Sequence, residues 1–559
     1  MISDREHLSG LKRHYDVVIV GAGPVGLAAA IELGSRNVRC LLVEQNDRVG
    51  YAPRAKTTNV RTRTHLRRWG IAERLAERAP LGLEYPSNVI FTTRLAGTKL
   101  AQFDDAFNAA PSRSPFYPEH AQWIPQYKLE QVLREHVETL SSVDLRFNTR
   151  FTGLEQDENG VQARLELNDG RTFGATAAYL IGADGARSEV RSALGIEMSG
   201  RYGLSRNFNI VFRAPGLKEA HALGPAIMYW QINGEVPSLI GPMDREDIWF
   251  FMPTGVNDEV GLSDDEARQL IAKATGIDLP YEILSSDFWV ASRLIADSYA
   301  SGRVFLAGDA CHLHPPFGGY GMNMGVSDAV DLGWKIAAIM QGWAGEALLD
   351  SYEIERRPVH KQIMDEAEAN HALLGNQLWR EGIEDAGALG IGLRDEIGRA
   401  IQTHKAREFR TLGAVLGYRY CGSPAIIGAP DECALDAQNY EPSSEPGCLA
   451  PHIWFGDASL YDDLGKGFTL LVHGDQNVSA AIEEAGARAI PLAVVPLPAS
   501  ARHLYPKDLT LVRPDQHVCW RGASWVSGIF DRVTGLINQQ VDAGELAHNN
   551  PGGEQTCIL

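Results

Sequence analysis

The chain of 559 residues carries 71 acidic against 52 basic side chains, a net charge of −19, which excludes the basic footprint of a nucleic-acid binder. At ~150 residues per domain the length also excludes a single small binding module. Hydrophobic residues make up 44%, with 11 Trp, 17 Tyr and 18 Phe, so long disorder is excluded and the expected partners are small molecules.

The seven cysteines, at 40, 311, 421, 433, 448, 519 and 557, are odd in number, scattered and never spaced as CxxC. This pattern gives no disulfide framework and no zinc site, and predicts reduced thiols in a cytoplasmic protein. The longest uncharged apolar run, Val17 to Ile31, is too short for membrane insertion.

That run reads instead as strand, turn and helix. Val17 to Val20 is β-branched, glycines follow, and Leu27 to Leu33 is alanine-rich with one apolar side. A second β-type run, Val38 to Val43, completes a βαβ unit, whose strands are expected to lie parallel inside an α/β sheet. Arg61, Arg63, Arg67 and Arg68 then read as a solvated helix face, and Tyr127 to Leu140 as an amphipathic helix. Short aromatic strands at Phe208 to Phe212, Met228 to Ile232 and Ile248 to Met252 predict an inserted antiparallel sheet. Val304 to Ala307, a glycine-rich loop and the helix Val326 to Gln341 return to the first style, so the first domain is discontinuous. Residues 352–418 are helical in rhythm, Pro424, Pro430, Pro442 and Pro446 mark a linker, and a last α/β segment holds strands at Phe468 to Val472, Ala493 to Val495 and Leu509 to Val512.

Gly21-Ala22-Gly23-Pro24-Val25-Gly26 matches GxGxxG between strand and helix. The first glycine makes the turn, and the second lets backbone N–H groups reach a pyrophosphate at the helix N-terminus. Glu44, with Gln45 beside it, ends the second strand where an acid binds ribose hydroxyls, so an unphosphorylated adenosine ribose, as in NAD or FAD, is expected.

The stretch Gly308 to Trp334, GDACHLHPPFGGYGMNMGVSDAVDLGW, closely resembles the second FAD-binding motif of the single-component (class A) flavoprotein aromatic hydroxylases. Tyr179 to Ser188, containing Asp184-Gly185, looks like that family's Asp-Gly motif, Pro53-Arg54-Ala55 like its arginine segment, and Gln126 stands where the family has a flavin-contacting Gln or Arg. Residues 447–522, with Arg513-Pro514-Asp515 and Val518 to Arg521, resemble the thioredoxin-like C-terminal domain of phenol, hydroxyphenylpropionate and polyketide hydroxylases. The resemblance implies an α/β fold: a Rossmann-like FAD-binding domain (1–82, 119–200 and 290–375), an antiparallel-sheet substrate domain (83–118 and 201–289), a helical segment and linker (376–440) and a thioredoxin-like domain lacking CxxC (441–559). The implied activity is hydroxylation of a phenolic ring with NADPH or NADH and O₂ through a flavin C4a-hydroperoxide. A homodimer is left open, and an epoxidase, halogenase, reductase or non-catalytic flavin-bound scaffold on the same fold are the alternatives.

The cofactor ligands implied are Gly21, Gly23, Pro24, Val25, Gly26, Glu44, Gln45, Arg54, Gln126, Asp184, Gly308, Asp309, Pro316, Gly319, Gly321, Met322 and Asn323, with substrate near Pro316. Tyr229 and Gln231 share one face of a strand, as do Phe250 and Met252 of another, and with Phe317 they are pocket candidates. His312 and His314 lack a third ligand in the sequence and are read as structural, so no metal is expected.

Overall fold

Four apolar residues, Val17 to Val20, lie at the heart of the first sheet because both faces of that sheet are covered. In the computed structural model, which describes residues 14–47, 55–254, 261–371 and 375–536, they belong to β1 (His14–Val20). Next come α1 (Pro24–Gly34), β2 (Cys40–Val43), β3 (Thr57–Thr58) and α2 (Val60–Arg68). Pro24 at the first helical position and the alanine run favour α1, which is buried along nearly its whole length. Glu32, inside that apolar helix, is tolerated because Arg36, Arg68 and the Trp69 indole N–H all bind its carboxylate.

The chain continues through β4 (Val89–Thr92), β5 (Lys99–Phe103), β6 (Gln122–Trp123), α3 (Gln126–Val137), β7 (Val143–Arg146) and β8 (Thr172–Gly182). It then forms β9 (Met198–Arg213), β10 (Met228–Gln231), β11 (Ser238–Pro242), β12 (Ile248–Pro253), α4 (Asp264–Thr275) and β13 (Glu282–Ala296). After these come β14 (Val304–Leu306), β15 (His312–Leu313), α5 (Gly321–Met340), α6 (Ser351–His371) and α7 (Ala388–His404). The first sheet runs β14-β8-β1-β2-β7, all parallel, as the βαβ reading requires, with a hairpin added along β8. The second runs β15-β13-β9-β12-β11-β10-β4-β5 and is antiparallel apart from the β10–β4 pair. Among the described residues no helix is long and apolar enough to cross a membrane.

The last α/β segment contributes β16 (Phe468–His473), β17 (Leu492–Leu497), β18 (Leu509–Val512) and β19 (Val518–Gly522) in the order β17-β16-β18-β19. It is clamped to the first domain by buried charge. Arg513 donates to Glu355 of α6 at 2.9 Å and Asp331 of α5 at 3.0 Å, and pairs with Asp515; Lys335 reaches the same Asp331 and Glu355 at 2.8 and 2.7 Å.

Two sequence expectations are corrected here. Arg61 and Arg63 on α2 are buried rather than solvated: Arg61 reaches Gln516 and the Asp515 carbonyl, and Arg63 reaches Glu119 at 2.7 Å. The helix face that periodicity assigned to water is covered at Arg61 by the C-terminal domain and at Arg63 by Ala72, Glu119 and His120, and each buried guanidinium has acceptors. Cys421 and Cys433 form a disulfide with Cα atoms 6.2 Å apart, so not all seven thiols are free. The proline-rich segment doubles back, with Gly422 donating to the Pro430 carbonyl, and no short spacing rule flags such a pair.

Replacing Arg513 with Met should destabilise the protein by about 3–5 kcal/mol, because Glu355 and Asp515 would be left as buried charges short of a partner. A chemical denaturation midpoint equal to that of the parent protein would contradict this accounting.

Candidate functional site

Three loops far apart in sequence meet at the carboxyl ends of β1, β8 and β14. The register Val20↔Gly182 aligns β1 with β8, Ala183 donates to the Val20 carbonyl at 2.8 Å, and Ala307 donates to the Gly182 carbonyl at 3.0 Å. Gly21–Gly26, Asp184–Gly185 and Gly308–Asp309 therefore face one crevice, where open parallel sheets bind ligands.

The glycines of the first loop have different jobs. Gly21 has φ +99°, and a methyl group there would meet the Ala183 carbonyl oxygen at 2.5 Å; one on Gly26 would run into the Gly21 carbonyl. Both are needed for the turn itself. At Gly23, the N-cap of α1, nothing lies within 4 Å of the position a Cβ would take. That open approach to free N–H groups at a helix start fits a pyrophosphate. Pro24 is buried at the helix start, and Val25 sets the second loop against the first, its methyl groups occupying the space that a Cβ on Gly308 or Gly325 would need. Glu44 accepts from Ala22 N–H at 3.0 Å and from Asn46, which fixes its carboxylate at the strand end with lone pairs left for ribose hydroxyls; Gln45 beside it is exposed.

The second loop is held by Asp328 of α5. This fully buried carboxylate accepts from Gly308 N–H at 3.1 Å, Arg356 Nε at 2.8 Å, and His312 and His360 Nε2 at 2.7 and 2.8 Å. Burial opposes its charge, but His360, Arg356 and His312 hold its pKa well below the usual carboxylate range. Burial likewise lowers His360 to about 3. Asp309, next to Gly308, is exposed to the crevice.

His360 is a third imidazole that the sequence reading lacked: ring nitrogens of His312, His314 and His360 all lie within 4.8 Å of one another. The rings of His312 and His360 are stacked, centroids 3.7 Å apart and planes 21° apart, so their lone pairs run side by side instead of converging as metal ligands do. Their arrangement serves Asp328.

Asp184 caps the turn after β8, accepting from Ser188 Oγ at 2.6 Å and from the Glu189 and Val190 N–H groups, and burial pushes its pKa up. Gln126 accepts from Ala55 N–H at 3.2 Å and donates to Glu130 at 2.7 Å. Asn323 spends all its amide capacity inside the protein: it donates to the Thr57 and Gly319 carbonyls at 2.8 and 2.7 Å and accepts from Asn59 N–H and Thr62 Oγ1. It thereby fixes β3 against the glycine loop that holds Pro316 and Gly319 and leads into Gly321 and Met322 at the start of α5; Pro316 is exposed. Arg54 lies outside the described residues.

On the substrate sheet, pleating places Tyr229 and Gln231 away from this loop, and the expectation that they line a pocket is corrected. They share the face of β10 packed under α4; Tyr229 donates to the Gly224 carbonyl at 2.6 Å, and Gln231 is held by Leu95 N–H and Ser238 Oγ. The opposite face carries Met228 and Trp230 together with Phe250 and Met252 of β12. The Trp230 and Phe317 centroids are 6.2 Å apart, and Phe91 stacks on Trp230 at 5.5 Å, so this face meets the glycine loop. Trp230 was missed in the sequence because alternation shows which residues share a face but not which face points inward.

An alanine at Gly23 should leave the ligand-free protein folded with an unchanged melting temperature, yet weaken binding of an added dinucleotide at least about tenfold. Alanine at Gly26 should lower the melting temperature as well. Equal effects of the two substitutions, measured by thermal melting and by ligand titration, would contradict the division of labour.

Comparison with known proteins agrees with this geometry. Residues 14–367 match the family described as FAD binding domain, and residues 443–535 match aromatic-ring hydroxylase, C-terminal. The chain is 33% identical to tetracenomycin B2 monooxygenase-dioxygenase of Streptomyces olivaceus, over 90% of this chain and 94% of that protein. It is 31% identical to 2,4-dichlorophenol 6-monooxygenase of Delftia acidovorans, over 94% and 97%. Among solved structures, a ternary complex of aklavinone-11 hydroxylase with FAD and aklavinone superposes with a TM-score of 0.80 at 29% identity, covering 94% of this chain and all of that one. A crevice built to take a dinucleotide, a second loop beside an aromatic face, and both family matches along one chain lead to one conclusion: the protein belongs to the FAD-dependent aromatic-ring hydroxylases, and is a monooxygenase of that family.

Proposed function

We propose that the substrate is a phenolic ring, hydroxylated at the expense of NADPH or NADH and O₂. The observation that carries this reading is the aromatic face of the substrate sheet, Trp230 and Phe250, set against Phe317 in the glycine loop of the FAD site. When bound, FAD supplies the redox chemistry: it takes a hydride from the nicotinamide and activates O₂.

The protein's own work is binding, orientation and exclusion of water. The Gly21–Gly26 turn and α1 would hold the diphosphate, Glu44 the adenosine ribose, and Gly308–Asp309 the sugar-alcohol chain, while Pro316, Gly319 and Gly321 would bring backbone close to the ring system. Flat side chains fix the plane of an aromatic substrate, and apolar walls exclude water from the reacting centre. The buried indole N–H of Trp230 has no acceptor among the described residues, so an oxygen substituent on the ring would satisfy it. The relatives named 2,4-dichlorophenol 6-monooxygenase and phenol 2-monooxygenase act on phenols by name, which supports the substrate class.

With a panel of phenols, the purified holoenzyme should oxidise NAD(P)H faster in the presence of at least one member and return a product heavier by one oxygen. Chloride incorporation, hydrogen addition, or coenzyme oxidation indifferent to every phenol would overturn the reading.

A further inference from the structure

Lys56 is a cation whose position is set by both halves of the site. Its residue directly precedes β3, where Thr57 gives its carbonyl to Asn323 and packs 3.0 Å from the Cβ position of Gly319 in the glycine loop. Its own carbonyl accepts from Ile124 N–H at 2.7 Å, which anchors it beside β6. From there the side chain extends to the substrate sheet, with Nζ 4.2 Å from the centroid of the Phe250 ring. Phe250 lies on the same face as Trp230 and is 6.4 Å from Trp123 of β6. The amine thus lies on the aromatic face of the substrate sheet, on a segment that the glycine loop holds in place.

Building on the phenolic reading above, we propose that Lys56 is the general base of the reaction, accepting the proton of the substrate's ring hydroxyl. The O–H bond breaks, an N–H bond forms on Nζ, and the electron pair stays on oxygen, from which it raises electron density at the ring carbon that receives the new oxygen. The ring becomes aromatic again as the hydroxylated carbon releases its own proton to solvent, and the proton held on Nζ returns to the phenolic oxygen, so Lys56 is regenerated.

The surroundings suit this role. Burial lowers the Lys56 amine to about 8, near the range in which an amine exchanges protons at physiological pH. Phe250, over which the amine lies, carries no titratable group; the charged pair on the same aromatic face is Lys405, with Nζ 4.7 Å from the Trp230 ring, and Glu408. Tyr127 on α3 packs against the same aromatic cluster, and its phenol is pushed up, by burial first and then by Asp244. The sign of the pH dependence follows: the amine must be neutral to accept, so hydroxylation rises with pH and levels off above about 8.

The test uses FAD-loaded wild type, Lys56→Met and Lys56→Arg, with 4-nitrophenol as probe because its phenolate absorbs in the visible. At a pH where the free probe is neutral, the wild type should bind it as phenolate paired with the Lys56 ammonium, its proton passing to solvent, and Lys56→Met should bind it as neutral phenol. Turnover of the best phenol in the panel should fall roughly 10²- to 10⁴-fold in both variants, since Arg keeps the charge but cannot accept a proton, and the rise toward pH 8 should vanish. Flavin content and melting temperature identify a variant that has merely misfolded, and the bound-probe spectrum is then read on Lys56→Arg. Phenolate bound equally by wild type and Lys56→Met, or wild-type turnover in Lys56→Arg, overturns the assignment to Lys56 alone. A wild type that neither binds 4-nitrophenol nor responds to any phenol overturns the phenolic reading and this proposal with it.

Discussion

The position of the whole site rests on one buried carboxylate. Asp328 has no contact with water, and a bare charge there would cost several kcal/mol, so the elements around it are held where they can donate to it. Those donors come from the turn after β14 (Gly308), from β15 (His312) and from α6 (Arg356 and His360), while Asp328 itself rides on α5. Four segments are fixed by one group. Because Val25 fills the space left by Gly308 and Gly325, that arrangement also sets α1, and with it the first glycine turn, against the second loop.

The same two helices are gripped from behind. Asp331 and Lys335 follow Asp328 on α5 at helical spacing, and Glu355 precedes Arg356 on α6, so one side of the helix pair supports the crevice while another receives Arg513 from the C-terminal domain. The C-terminal domain has the sheet of a thioredoxin-like unit, but what its Arg513-Pro514-Asp515 segment does is mechanical. It neutralises carboxylates that the first domain buries and cannot satisfy alone. Arg61 on α2 makes the reciprocal contact through Gln516 and the Asp515 carbonyl, which places the C-terminal domain against the segment leading out of β3 and Lys56.

How much of this was legible in the sequence depended on the range of the signal. The βαβ unit and its glycine turn are local, with β-branched runs, a proline at the helix start and an acid at the strand end, and the structure reproduces them. The substrate strands were legible as strands, but their orientation was not: Tyr229 and Gln231 share a face as period two requires, and only tertiary packing under α4 decides that Trp230 faces the loop instead. The arginines of α2 followed a solvated pattern because their partners are distant in sequence: Arg63 meets Glu119, and Arg61 meets Gln516, 455 residues later. His360 joins His312 from the next helix, and Cys421 meets Cys433 through a reversal of a proline-rich segment; both are long-range facts without a local signature. Lys56 carried no motif, and its surroundings become visible only when β3, β6 and β12 are brought together.

The account stands on distant segments of the chain closing over one FAD. The most direct measurement is the visible absorbance of the purified protein, quantified against its polypeptide after the cofactor is released by denaturation. The account predicts flavin bands and about one FAD per chain, either as isolated or after reconstitution. A folded, colourless protein that takes up no FAD would contradict it.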